Sequence, residues 1–504
     1  MMQGLPIFTM TGIIVSLYLV LGAIIVAVEW QRVRAGRPFD ALSLFNGAYF
    51  LFFVFAPINV LVLGEDAVRQ KYAYQNWSHG DVWTAGALML SYLLFVMGYH
   101  RKRKKPLIPI EVGTNAVRVA LWLIGGYVLV GAAALIYHVS LVGGVLETLQ
   151  FAPGTRTGQF ELDGDFLFVR QFSFFLATAF MLAWAVYIER NACFTSADGS
   201  GVSWRPWLWV LLVLTGLAFA YYALSTYGRR EFLYPFIICL MVWALAGRQR
   251  LWAGLGWLVT LAALWFVVHS VVIPSSLLSS FTQPAAAQPA AAQPAAAQPA
   301  AAQPAAAQPA AAQLVSVDVY ELYLKTVQGL NDSFIHFVAA EHAELWQFGF
   351  LTDIRELPLQ FLPSQVLGFD RPPGMLGETS EFILGRPLEP GLSGEEPLGL
   401  HGYLLVNFSY AGMFLVFFLL GMGYRVIDSV LRPAQGGAAL GWLMFLWVVV
   451  GALEFLREGV LIFVLKPRFS WWLAIGILLW FACQRQTGPH TAGLESIPQR
   501  GLSS

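Results

Sequence analysis

The stretch STYGRREFLYP, Ser225 to Pro235, sets Arg229 and Arg230 beside Glu231 between two apolar runs. Adjacent guanidinium groups suit bidentate recognition of phosphate and stay charged in any environment. A neighbouring carboxylate can orient one of them or take up a proton. Three further places offer related chemistry. The segment DIRELPLQFLPSQ sets Arg355 next to Glu356, and LEFLREG sets Arg457 beside Glu454 and Glu458. His401 opens HGYLLVNFSYAG, where an imidazole is able to accept a proton from a hydroxyl near neutral pH. The plainer alternative is that the arginines reach lipid head groups or pair with nearby acids, and that His401 is an interface residue.

Other constellations carry less. His336, Glu341, His342 and Glu344 share a segment of helical spacing, but no His–His or His–Glu pair has the i,i+4 separation of a zinc-binding helix. They read as a solvated polar face. Asp163 and Asp165, in a glycine turn, are a weak divalent-cation signal. There is no Walker loop, no GxSxG and no dinucleotide fingerprint, so the expectation is no cofactor and no metal.

The elements that must hold these residues are membrane spans. The chain is 57% hydrophobic and only 12% charged, against about 25% charged in a typical soluble protein. Lys plus Arg equal Asp plus Glu at 30 each, which gives no reason to expect a nucleic-acid partner. A spanning helix needs about 20 apolar residues. Such runs fall near 7–28, 42–63, 82–99, 116–139, 171–188, 207–226, 232–247, 252–273, 402–423, 438–456 and 469–483. The expected fold is therefore all-α, a polytopic bundle of about eleven spans with the lipid bilayer as its first partner. The apolar run near the N-terminus lacks a basic leader and a small-residue cleavage site, so it reads as a retained helix.

Orientation follows from basic residues in short connections. Arg32, Arg34 and Arg37, then Arg101 to Lys105, Arg190 and Arg205, Arg248 and Arg250, and Arg425 and Arg432 occupy alternate connections. These lie in the cytoplasm, with the N-terminus outside and the tail 484–504 inside. No cysteine falls in an outer loop, so no disulfide framework is expected. Arg229 and Arg230 then sit on the outer face, against the positive-inside bias.

Residues 1–273 carry the first eight spans and 402–483 the last three, with a large outer loop, 274–401, between them. The loop begins with six QPAAA copies within 283–313, a tether in which a proline every fifth residue prevents a continuous helix. Residues 317–346 return to helical spacing as an amphipathic helix, packed on the protein or lying along the membrane. Residues 352–400 are a Pro/Gly-rich loop.

The outer YGRREFLYP junction, the large loop with RELPLQFLPSQ, the run LGLHGYLLVNFSYAGMFLVFFLLG and LEFLREG together resemble Wzy-type polymerases of O-antigen or oligosaccharide repeat units. The histidine-containing run also resembles that of the O-antigen ligases. The likeness covers roughly 200–480, apart from the QPAAA insert. It implies a GT-C-like membrane glycosyltransferase of the bacterial inner membrane. Its substrate would be an undecaprenyl-pyrophosphate-linked oligosaccharide, with a chain-length regulator protein among its partners. Arg229, Arg230, Arg355 and Arg457 would bind the pyrophosphate, and His401, Glu231 or Glu356 would serve as base. A ligase acting on lipid A core and a flippase or transporter for lipid-linked sugars are the alternatives.

Overall fold

Asp40 and Asp81 begin two of the helices by the same local chemistry. In the computed structural model of the chain, the Asp40 carboxylate accepts the Ser43 N–H at 3.0 Å and starts α2 (Ala41–Phe50). Asp81 and Thr84 form a reciprocal capping box at the start of α4 (Val82–His100). Each cap satisfies N–H groups that no preceding turn can reach. The structure describes residues 6–36, 39–63, 80–101, 114–149, 167–193, 205–225, 229–246, 333–341, 398–433, 438–459, 464–465 and 468–483. The chain divides into two units, one of them Val259–Gln328, and every described residue belongs to the other.

The remaining helices are α1 (Pro6–Arg34), α3 (Ala56–Leu63), α5 (Thr114–Val142), α6 (Phe175–Cys193), α7 (Arg205–Ser225) and α8 (Arg229–Ala246). They continue with α9 (Gly399–Leu431), α10 (Ala439–Glu458) and α11 (Phe469–Cys483). A π turn, Leu51–Phe55, links α2 to α3, and a 3₁₀ turn, Leu167–Phe174, leads into α6. No strand occurs among the described residues. Among the described residues, eight helices are long and apolar enough to cross a membrane, which makes the chain a multi-pass membrane protein. Two shorter apolar helices, Leu233–Ala246 and Phe469–Phe481, coincide with two more of the expected spans. The span expected near 252–273 lies outside the described residues.

Helices α1, α2, α3 and α4 pack together with α9 against α4 and α2, while α5, α7, α8 and α11 gather round α6, and α10 lies against α6, α8, α9 and α2. Burial reflects this: 72% of the apolar window of α10 is buried against 28% of that of α1, whose other side is left to lipid. The tightest approach is between α4 and α9. A Cβ on Gly421 would lie 2.0 Å from the Phe95 carbonyl oxygen, and one on Gly98 would lie 2.1 Å from that of Phe418. Only glycine fits at either place. Without a hydrophobic force between helices in lipid, such close backbone contact is what holds two spans together.

At the end of the bundle where α1 finishes, charges are buried. Arg32 meets Asp40 at 2.7 Å and Glu29 at 3.3 Å, and its guanidinium also donates to the Ser43 hydroxyl. Asp428 of α9 accepts the Ala41 N–H at 3.0 Å and the Tyr99 hydroxyl, with Arg432 3.9 Å from both Asp428 and Asp40. Burial, with Asp428 alongside, raises the Asp40 carboxyl above the usual range against the pull of Arg32 and Arg432. This network ties α1, α2, α4 and α9 together.

Candidate functional site

His401 stands two residues into α9, where three segments meet. Gly399 and Gly459 both take left-handed backbone, with φ 66° and 77°. A Cβ on Gly459 would lie 2.3 Å from the Gly399 carbonyl oxygen, so the close of α10 rests directly on the opening of α9. The Ser333 hydroxyl donates to the Arg457 carbonyl at 3.1 Å, bringing the helical residues 333–341 to the same corner.

The decisive feature is the course of α9. A straight helix would set residues 401 and 417 about 24 Å apart at 1.5 Å per residue. Instead the His401 and Phe417 rings stack with centroids 4.3 Å apart. The chain therefore folds back between them. It does so at Ser409, whose φ of 59° and ψ of −178° leave helical geometry altogether. Positive φ on a residue with a side chain is strained, and such strain gathers at working sites. Gly412 permits the turn, since a Cβ there would lie 2.2 Å from that of Phe408. The apolar run 402–423 is thus two segments, a buried short one and a longer one that can cross the membrane.

His401 is fully buried. Phe417 stacks on one face, Phe53 from the π turn meets it edge-on at 4.3 Å, and Phe337 and Tyr49 close the box. The Tyr49 hydroxyl donates to the Leu88 carbonyl at 2.7 Å and lies 3.0 Å from His401 Nε2. Tyr49 has one proton and spends it on Leu88, so Nε2 must carry the hydrogen and donate to Tyr49. That leaves the lone pair on Nδ1, which has no hydrogen-bond partner among the described residues. The ring is a neutral imidazole with its basic nitrogen unengaged. π turns often mark functional positions in helices, and here one supplies a wall of the box.

One helical turn beyond Phe337, Glu341 accepts the hydroxyl protons of Tyr410 and Thr84. Tyr410 follows the strained Ser409 directly, so the fold-back of α9 is what delivers this contact. Asp81 lies on the other side of Thr84.

The sequence-derived residues distribute as follows. Arg229, Arg230 and Glu231 do open a helix, α8. Arg457 is in the last turn of α10, 3.5 Å from Glu458, and its carbonyl borders the start of the segment that carries His401. Glu454 does not pair with Arg457. It forms a two-pronged bond with Arg468, at 2.6 and 3.0 Å, whose guanidinium also lies over the Trp471 and Tyr234 rings. Arg355, Glu356, the QPAAA run, His342, Glu344, Asp163 and Asp165 lie outside the described residues. His336 corrects the expectation of a solvated face: it is fully buried, because residues 333–340 are packed on every side. The described part of the expected amphipathic helix is thus inside the protein. Among the described residues no group of three or more His, Cys, Asp or Glu is placed to hold a metal ion.

Tyr49 and Tyr410 were not singled out by sequence, and Glu341 was read there only as part of a solvated polar face. For Glu341 the available signal was the recurrence of Phe334, Phe337 and Val338, which marks a face for burial. Compared with models of protein families, with curated proteins and with solved structures, the chain finds no match.

Proposed function

We propose that this chain is a glycosyltransferase of the bacterial inner membrane that joins lipid-linked oligosaccharide repeat units into a surface polysaccharide. A hydroxyl of one unit attacks the anomeric carbon of the glycan carried on undecaprenyl pyrophosphate. The new C–O bond forms as the bond to the pyrophosphate breaks, the hydroxyl proton passes to a base, and the electron pair leaves with the pyrophosphate. Fixed cations at a poorly hydrated surface stabilise that departing charge.

The observation that carries this reading is the behaviour of His401–Gly412, one of the runs on which the resemblance rests. It holds a histidine with a free basic nitrogen, and within it α9 reverses at a strained serine. Arg229 and Arg230, at the start of α8, are the proposed pyrophosphate ligands, with Arg355 and Arg457 as helpers. The proposed topology has about eleven spans, the N-terminus outside and the loop 274–401 on the outer face. A phosphatase reporter inserted in the QPAAA run is expected to be active, and reporters after Lys105 or Arg250 silent. Activity at Lys105 would reverse the orientation and remove the site from the outer face.

The functional test uses a strain lacking the gene. Wild-type protein restores a ladder of long chains, whereas Arg229→Lys and Arg230→Lys, which keep charge but lose the planar fork, impair it. The double Arg229→Ala, Arg230→Ala variant leaves single repeat units at equal protein level in the membrane fraction. A normal ladder from the double variant would end this reading of the arginines. One observation favours a second reading, a transporter of lipid-linked sugars: broken helices beside polar residues are common in transporters, and α9 is broken. Polymer formed by purified protein from lipid-linked units in detergent separates the two.

A further inference from the structure

Where α4 crosses α9, Arg101 and Arg425 each reach onto the neighbouring helix and not onto an acid. The two helices run the same way: Tyr49 links Leu88 to Phe417, and Tyr99, further along α4, bonds Asp428, further along α9. Their backbones touch where Gly98 meets Met422 and Gly421 meets Tyr99. Arg101 stands three residues past Gly98 and Arg425 four past Gly421, so both leave the seam at one depth. The Arg101 guanidinium lies over the Phe418 ring, 5.8 Å from its centroid, with Nη1 3.8 Å from Met422 Sδ. That of Arg425 lies over the Tyr99 ring at 5.6 Å.

Neither arginine has an ion-pair partner among the described residues. Asp428, the acid one turn past Arg425, is taken by the Ala41 N–H, the Tyr99 hydroxyl and Arg432. Rings and a thioether fix a guanidinium in place but accept few of its five N–H groups. Two uncompensated cations therefore stand at one seam.

The surface leading to them is the independent observation. Leu90, Leu93 and Met97 precede Arg101 on one face of α4, and Leu415 and Leu419 precede Arg425 along α9. All five are exposed. Two parallel apolar stripes thus each end in an arginine. A soluble anion matches the arginines and leaves the stripes bare. A phospholipid matches both, because its acyl chains lie along the stripes and its phosphate meets the planar forks. A head group with its own ammonium would add a third positive charge, so the fit is to a lipid of net negative charge.

We infer that Arg101 and Arg425 form a binding site for the phosphate of an anionic glycerophospholipid, which clamps the seam between α4 and α9. The site takes no residue from the reaction proposed above and stands without it.

The experiment titrates the purified full-length protein, in detergent, with phosphatidylglycerol and reads bound lipid by native mass spectrometry alongside the melting temperature. Phosphatidylglycerol is expected to bind and to raise the melting temperature, whereas phosphatidylethanolamine and inorganic phosphate do neither. The double variant Arg101→Gln, Arg425→Gln should bind phosphatidylglycerol roughly ten- to thirtyfold more weakly. Its lipid-induced rise in melting temperature, read against its own lipid-free value, should be lost. Arg34→Gln with Arg118→Gln removes the same charge from two exposed arginines of α1 and α5, and should change the affinity less than about twofold. Unchanged affinity in the first double variant overturns the site. Equal weakening in the second reduces it to diffuse attraction and overturns it too. Protection by inorganic phosphate alone, or equally by phosphatidylethanolamine, overturns the assignment to an anionic lipid.

Discussion

His401→Ala lowers polymer formation by roughly 10²–10⁴-fold, the usual contribution of a general acid–base group, while the lipid-linked donor still binds. The structure gives a way to separate chemistry from packing. Alanine empties a box made by Tyr49, Phe53, Phe337 and Phe417, and so it loosens the fold as well as removing a base. His401→Gln is the sharper variant. Its amide is able to replace the Nε2–H bond to Tyr49 but has no basic nitrogen in place of Nδ1. If Nδ1 takes the proton, glutamine remains as inactive as alanine. Polymer restored by His401→Gln would make His401 a partner of Tyr49 and nothing more, and Glu231, Glu356 or Glu458 would become the candidate base.

Glu454→Leu destabilises the protein by about 3–5 kcal/mol, because it strands a buried arginine. Glu454 and Arg468 are both nearly inaccessible, with side chains 6% and 9% exposed, and they satisfy each other through two bonds. The loss reads as a lower melting temperature in detergent. Adding Arg468→Met, which removes the stranded charge and keeps the long apolar stem against Trp471, should recover most of it. A single variant as stable as the wild type would show that the pair contributes no net stability. By contrast, breaking the 3.5 Å contact of the more exposed Arg457 with Glu458 should change stability far less.

The membrane elements were legible because hydropathy over about 20 residues is a property of local sequence alone. Eight of the expected spans are helices of the required length, and two more are shorter apolar helices. The course of α9 was not legible. LLVNFSYAGMFLVFF reads as one apolar run, and Asn407, Ser409 and Gly412 are too few to announce a reversal. Partner choice was equally hidden. Proximity in sequence pairs Arg457 with Glu454, whereas the fold gives Glu454 to Arg468 and leaves Arg457 with Glu458. Glu341 and Tyr410 stand 69 residues apart, and the contact exists only because a short helix is buried beside the folded-back start of α9. The buried Arg32–Asp40 pair bridges a connection that sequence marks only as basic. Periodicity reports which residues seek burial, not which neighbour they find.

The glycine crossing of α4 and α9 has a mechanical consequence. With backbone against backbone at Gly98 and Gly421, and Asp428 bonded to Tyr99 and Ala41 below, the lower length of α9 is welded to its neighbours. It can neither slide nor roll without driving a carbonyl into a Cα. Above Ser409 the one such contact is at the tip, where the Gly399 carbonyl meets Gly459; the rest of the first ten residues form a short lever, joined to the shaft by one strained residue and seated on aromatic rings. Rings can tilt; backbones in contact cannot. Any motion at this corner is therefore carried by that lever together with the helical residues 333–341 and the end of α10 that it rests on, while the lower length of α9 stays still.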